Sequence, residues 1–316
     1  MGPALEHVKN LRHPGTLAYN WFFYTRAIKG VLRKHRVKSY RPRFGRDDHL
    51  VIYPESKRRW YELFQVPEEI EVPFTYHDHA RAVGLMILIE GLGVNFRYLL
   101  HLKSELRFHK YLVPGEVYVA DYLFADVVRI RKDKAAIVGY TTIKKDGELY
   151  LESRDHFVIK NVPEKYLMLL KSDESGEFKG LTHVPPEPLV DNQVKEIYIP
   201  GDLPRKYGAT SGDKNFVHTS AWVARQFGYN QPFIQGLCTA NLIMKELCTA
   251  GVSLDHFSIT FCRPVFLRTT VFLHYTDNVY RLLDEAGNVL CFGRINSLDG
   301  NLVINTPLYQ QCFKGK

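Results

Sequence analysis

The chain has 316 residues, of which 45% are apolar, 13% aromatic and 24% charged. That composition excludes a disordered or collagen-like chain, and the length is enough to bury a core without disulfides or metals. The net charge of +8 is gathered at one end: residues 1–60 carry +10 and the remainder −2. The longest apolar run, Val83 to Ile89, is far short of the roughly 20 residues a membrane-spanning helix needs. There is no signal-peptide pattern, and Glu6 stands where a myristoylation pattern requires Ser or Thr. A cytoplasmic protein is expected.

In chain order, residues 14–35 form an amphipathic helix with Leu17, Trp21, Ile28 and Leu32 at helical spacing. A basic run follows from Arg33 to Arg46, with seven Lys/Arg and no acid. It reads either as a solvated surface or as a contact for an anionic partner. A short segment at Leu50 to Tyr53 precedes a helical stretch from Ser56 to Phe64. Residues 75–100 are helical, interrupted by Gly84, Gly91 and Gly93. Its GLGVNF piece lacks both the third glycine and the βα setting of a nucleotide loop.

From Ser104 the period becomes that of strands, at 104–110, 116–131, 134–144 and 148–160. Turns are expected at Pro114-Gly115, Asp133-Lys134 and Asp146-Gly147. Residues 161–195, with Pro185, Pro186 and Pro188, make a linker. The order then repeats: a strand near 196–199, helices over 218–250, and strands from Phe257 to Asn305. RFHKYLVPGEVYVADYLF in the first half answers to TFCRPVFLRTTVFLHYTD in the second. This layout implies an internal duplication and helices packed on antiparallel sheets. The divisions expected are a basic extension at 1–48, a first unit at 49–160, the linker at 161–195 and a second unit at 196–316.

The five cysteines, Cys238, Cys248, Cys262, Cys291 and Cys312, match neither a zinc site nor a disulfide framework. They read as small buried apolar side chains.

Chemistry concentrates in Tyr207 to Leu237, YGATSGDKNFVHTSAWVARQFGYNQPFIQGL. Asp213 and His218 sit five residues apart on a Gly-containing turn into a helix. A carboxylate and an imidazole so placed can share a water and move its protons. The same spacing also suits an ordinary Asp/Asn helix cap followed by a surface His. Asn215 is placed to fix the loop. Gly236 opens a second helical run, where a substrate oxygen could approach a free backbone N–H with the helix dipole behind it. His77, Asp78 and His79 form a further polar trio and are taken as surface or inter-unit residues.

This stretch resembles the hydratase motif of the MaoC-like family of (R)-specific enoyl-thioester hydratases and 3-hydroxyacyl-thioester dehydratases. Tyr207, Ser211, Gly212, Asp213, Asn215, Val217, His218 and Ala224 match its pattern, as do Gly228, Tyr229, Pro232 and Gly236 downstream and RPVF at 263–266. Phe216, Ser220, Ala221 and Gln235 depart from it. Residues 72–101 are similar to the degenerate first unit of two-unit members. The resemblance implies an α+β double hotdog, two units each with a long central helix wrapped by an antiparallel sheet.

By the same resemblance the activity is hydration of trans-2-enoyl thioesters, or dehydration of (3R)-3-hydroxyacyl thioesters, in fatty-acid metabolism. Asp213 and His218 would hold the water and the Gly236 N–H the thioester oxygen, without metal or redox cofactor. Tyr207, Ser211, Gly212, Asn215 and Gln235 would support the loop or the substrate. The partners implied are acyl-CoA or acyl-carrier-protein thioesters, with the chain a monomer or homodimer. Arg33, Lys34, Arg36, Lys38, Arg41, Arg43 and Arg46 offer contact to an acidic carrier protein or, with Trp21 and Phe22, to an anionic membrane. No nucleic acid is expected, since no recognition motif accompanies the charge. An acyl thioesterase and a non-catalytic acyl-binding protein are the alternatives.

Overall fold

The computed structural model describes residues 17–32, 34, 43–78, 81, 92–125, 127–173, 178, 189–297 and 302–303. In the first half, α1 (Leu17–Leu32) and β1 (Arg43–Val51) precede α2 (Pro54–Phe64). Strands β2 (Leu99–Phe108), β3 (Val117–Phe124), β4 (Val128–Arg131), β5 (Lys134–Lys145) and β6 (Glu148–Ile159) follow. A short α3 (Glu164–Leu167) and β7 (Lys171–Ser172) come next. The second half holds β8 (Gln193–Tyr198), α4 (Leu203–Ser211), α5 (Ala221–Gln226) and α6 (Gly236–Thr249). It closes with β9 (His256–Phe261), β10 (Thr270–Tyr275), β11 (Val279–Asp284) and β12 (Val289–Arg294).

These strands form one sheet in the order β1-β3-β5-β6-β2-β9-β12-β11-β10-β8, with β4 and β7 paired off the side of β5. Read inward from either edge, each half places its five main strands in the same sequence: first, third, fourth, fifth, second. The halves meet where β2 runs antiparallel to β9, from Lys103 opposite Thr260 to Arg107 opposite His256. The ladder crosses that seam without interruption, so neither half leaves an open edge there.

The core explains the central position of α6. Leu237, Cys238, Thr239, Ala240, Asn241, Leu242, Ile243 and Met244 are all buried, the mark of a helix covered on every side rather than on one stripe. It shares one core with Leu106, Ile143, Phe257, Leu273 and Leu282 from strands of both halves. α2 closes one flank: Trp60 stacks on Phe74 at 5.3 Å and meets Tyr207 edge-on at 5.4 Å. In the first half Asp78, Arg81 and Leu92 are helical, but the helix expected over 75–100 is shorter: 75–77 and 93–95 are turn or irregular, Phe96–Tyr98 is a 3-10 turn and Leu99 already opens β2; residues 79–80 and 82–91 lie outside the described residues.

Several expectations shift. β1 begins at Arg43, so the end of the basic run is sheet, and the boundary expected after residue 48 falls inside a strand. The boundary expected after residue 195 likewise falls inside β8. The single strand expected at 116–131 is two, because β4 turns aside to pair with β7. The apolar stripe of α1 does not face the core: Trp21, Ile28 and Leu32 are exposed. His77 and Asp78 are buried rather than superficial, and Asp78 meets Tyr207 of the second half, the inter-unit alternative; His79 is outside the described residues. Cys238, Cys248 and Cys291 are buried and Cys262 half-buried, all as free thiols; Cys312 is outside the described residues.

Candidate active site

The loop that carries Asp213 is folded back onto the helix before it. α4 ends at Gly212, which adopts φ 83°, a conformation glycine takes without Cβ strain. One turn earlier, a Cβ on Gly208 would come within 2.7 Å of the Asp213 carbonyl oxygen, so glycine lets the two segments touch. The Asp213 N–H donates to Ser211 Oγ at 3.2 Å, and the Asn215 N–H to Asp213 Oδ1 at 3.4 Å. Asn215 Oδ1 accepts from Val217 N–H at 3.2 Å and caps the 3-10 turn Phe216–His218. From above, the Gln235 side-chain amide donates to the carbonyl oxygens of Pro204 and Asp213, at 3.1 and 3.0 Å. Ser211, Gly212, Asn215 and Gln235 thus hold the loop in shape.

His218 is buried, and its Nδ1 lies 2.9 Å from the Phe233 carbonyl oxygen. That oxygen can only accept, so Nδ1 carries the proton and Nε2 is left with its lone pair. Burial holds the imidazole below its ordinary value, and the nearby Asp213 carboxylate offsets this in part. The ring is therefore a neutral base near physiological pH. Beside it α6 starts at Gly236 with no side-chain cap. The first intrahelical bond on this turn runs from Thr239 N–H to the Gln235 carbonyl at 3.0 Å, so the N–H groups ahead of it have no acceptor within the helix.

Tyr207 and Asp78 join the two halves. The buried Tyr207 hydroxyl donates to Asp78 Oδ2 at 2.6 Å. Asn241 of α6 braces the pair, donating to the Tyr207 oxygen at 3.3 Å, to Thr75 Oγ1 at 2.7 Å and to the Leu237 carbonyl at 2.7 Å, while its own Oδ1 accepts from Thr75 N–H. Burial pushes the Asp78 carboxyl up to about 6; Arg81, Tyr207 and Thr75 oppose that, and Asp213 adds to it. Arg81 in turn donates to Asp155 Oδ1 at 2.7 Å. Burial alone would raise Asp155, but Arg81 and His101 beside it hold it well below the usual carboxylate range.

One cavity of about 470 Å³ gathers these groups. Asp213, Asn215, His218, Gly236 and Tyr207 line it from the second half; Asp78, Arg81 and His101 line it from the first. Ser211, Gly212 and Gln235 stand behind the wall. Arg97, Lys134, Lys160 and Arg263 are also among its lining residues, against only two carboxylates, Asp78 and Asp213. Asp78, Arg81 and Asn241 are the site residues that sequence spacing did not assign. The pairing of Pro73-Phe74 with Pro232-Phe233 could have found the first two, since it puts Asp78 on the opening turn of the first half's helix just as Leu237 opens α6.

Two sheet halves with identical strand order, joined edge to edge around a buried helix, define a double hotdog protein. A model of the MaoC-like domain matches residues 191–285, within the second unit. The 3-hydroxyacyl-thioester dehydratase X of Mycobacterium tuberculosis is 29% identical over 73 residues, 23% of this chain and about a quarter (26%) of that protein's length. The crystal structure of HtdX from the same organism superimposes with a TM-score of 0.62 at 18% identity, over 80% of this chain and 99% of that one. A MaoC-like dehydratase from Phytophthora capsici gives a TM-score of 0.58 at 13% identity, over 84% of this chain and 97% of that one. At these identities the structural likeness speaks for the fold alone.

Proposed function

We propose that the protein is a hydro-lyase that adds water across trans-2-enoyl thioesters and removes it from (3R)-3-hydroxyacyl thioesters. The observation that carries this reading is the convergence of Asp213, a neutral His218 and the open N-terminus of α6 on one cavity. In hydration, the Asp213 carboxylate and His218 Nε2 hold one water between them. One of the two takes a proton from the water as its oxygen bonds to C3, and that same proton is then passed to C2, which leaves both groups as they began. The Gly236 N–H holds the thioester oxygen while it gains enolate charge; losing such a donor costs about 3–4 kcal/mol of transition-state stabilisation. Dehydration runs the same steps in reverse. The (3R) stereochemistry rests on the relatedness of the second unit to the MaoC-like family.

The substrate class follows from the lining. Leu99, Leu100 and Phe157 of the first half and Phe261 of the second give an apolar wall for an acyl chain. The four cations suit the phosphates that coenzyme A and a carrier protein's prosthetic arm both bear. The Mycobacterium tuberculosis relative, a 3-hydroxyacyl-thioester dehydratase, points the same way. The test is the loss of conjugated enoyl-CoA absorbance on adding protein. Asp213→Asn should lower kcat by at least about a hundredfold with an unchanged circular dichroism spectrum. Full activity in that variant refutes the assignment, and release of free thiol in place of hydration makes the protein a thioesterase.

A further inference from the structure

We propose that α1 is a docking helix that seats the mouth of the cavity on an anionic lipid surface. The helix sits against the site. Gly30 lies so close to Phe96 that a Cβ there would be 2.7 Å from the ring. Asn95 Nδ2 donates to the Val31 carbonyl at 2.9 Å, and the Tyr24 ring stacks on Phe216 at 4.9 Å. Phe96 lines the cavity, and Phe216 lies between Asn215 and Val217, which do so too.

Half a turn round the helix from Gly30 is where the sequence placed its apolar stripe, with Tyr24 at its flank. Trp21, Ile28 and Leu32 are seven and four residues apart, which puts them within about 40° of one another around the axis. They are 74%, 54% and 77% exposed. Three large apolar side chains held in water on one stripe of a helix need a cover.

The charge selects the occupant. Lys29 and Lys34 are exposed on and just beyond the helix, and the run from Arg33 to Arg46 holds seven basic residues and no acid. Of that run, Arg46 is already paired with Asp48 and Asp121 and is left out of the argument. A second copy would bring +10 against +10, and three side chains on one helix fall well short of the ~800 Å² per partner of a stable interface. An anionic bilayer satisfies both features at once: headgroup phosphates meet the basic residues, and the interfacial region accepts Trp21, Ile28 and Leu32. No helix among the described residues is long and apolar enough to cross a membrane, so the association is peripheral. It would turn the cavity toward the layer where long acyl chains partition. That last point rests on the proposed substrate; the binding itself does not.

The experiment is flotation of the full chain with vesicles of phosphatidylcholine alone and of phosphatidylcholine with a quarter phosphatidylglycerol. The expected result is co-flotation with the anionic vesicles, at least tenfold weaker binding to the neutral ones, and weakening at high salt. The triple variant Trp21→Ser, Ile28→Ser, Leu32→Ser should bind at least tenfold less with unchanged thermal midpoint and enoyl-CoA turnover. Trp21 emission should shift to the blue on anionic vesicles and the shift vanish in Trp21→Phe. Failure to float with either vesicle overturns the proposal, as does equal binding by the triple variant. Light scattering that shows a stripe-dependent dimer without lipid binding gives the surface to a second copy. An acidic carrier protein that binds only the native stripe, with vesicles inert, gives it to that partner. An inactive protein that floats sinks the proposed chemistry and leaves the docking helix standing.

Discussion

Asp78→Asn separates charge from shape at the seam between the two units. Asn keeps an oxygen for the Tyr207 hydroxyl, 2.6 Å away in the native protein, and removes the titration. In the folded chain the Asp78 carboxyl is pushed up to about 6 by burial, against an ordinary value of 3.8. The folded state therefore binds this proton more tightly than the unfolded state does, and native stability falls as pH rises from near 4 to above 6. The full penalty is worth about 3 kcal/mol, since a tenfold change in proton affinity is about 1.4 kcal/mol. Roughly 1 kcal/mol of it is already spent at pH ~4.5, which leaves about 2 kcal/mol to appear between there and pH ~7.5. The other titrating groups are common to both proteins and cancel in the difference. Urea unfolding of both proteins at the two pH values should show the variant gaining about 2 kcal/mol relative to native on going to the higher pH. A difference that does not change with pH, whatever its sign, refutes the view that Asp78 is a buried carboxyl with a raised pKa.

The remaining expectations concern the loop and its brace. His218 is held below the ordinary imidazole value of 6.5, so it gains its proton and ceases to act as a base only below that pH; kcat/KM, measured with Asp78→Asn to remove the neighbouring titration, should stay level through 6.5 and then fall, and an acid limb at or above 6.5 contradicts the burial argument. Gly208→Ala pushes a Cβ against the backbone oxygen of Asp213; stability should fall by about 1–3 kcal/mol and turnover at least tenfold, and a fully active variant shows that the loop need not touch α4. Asn241→Leu strips the bonds to Tyr207, Thr75 and Leu237 and leaves Thr75 N–H without its acceptor; the loss should be about 2–4 kcal/mol by urea unfolding, with KM little changed in the folded fraction.

Much of this molecule is legible in its residues. The β-branched and aromatic runs after Ser104 and the turns at Pro114-Gly115 and Asp146-Gly147 mark the strands, because alternation and turn chemistry are local properties. Asp213, Asn215 and His218 can be named from spacing for the same reason, since a loop that closes on itself writes its hydrogen bonds within a few residues of sequence; Tyr207, Ser211 and Gly212 are named by the resemblance to the MaoC-like motif. Helical spacing also finds the stripe of Trp21, Ile28 and Leu32, but spacing carries no information about which side of a helix meets the protein. The contact of Gly30 with Phe96 decided that, and it turned the stripe outward.

What only the tertiary structure decided lies between segments far apart in the chain. Asp78 meets Tyr207 across 129 residues and Asn241 meets Thr75 across 166. Those contacts exist because β2 and β9 zip the two halves into one sheet, which brings the opening turn of the first half's helix up against α4 and α6. The sequence by itself determined two similar units and the loop in the second that carries Asp213 and His218. The seam set how the first unit would complete the cavity and in which protonation state its carboxyl would stand, since burial and long-range contacts are properties of the packed chain and have no local period to read.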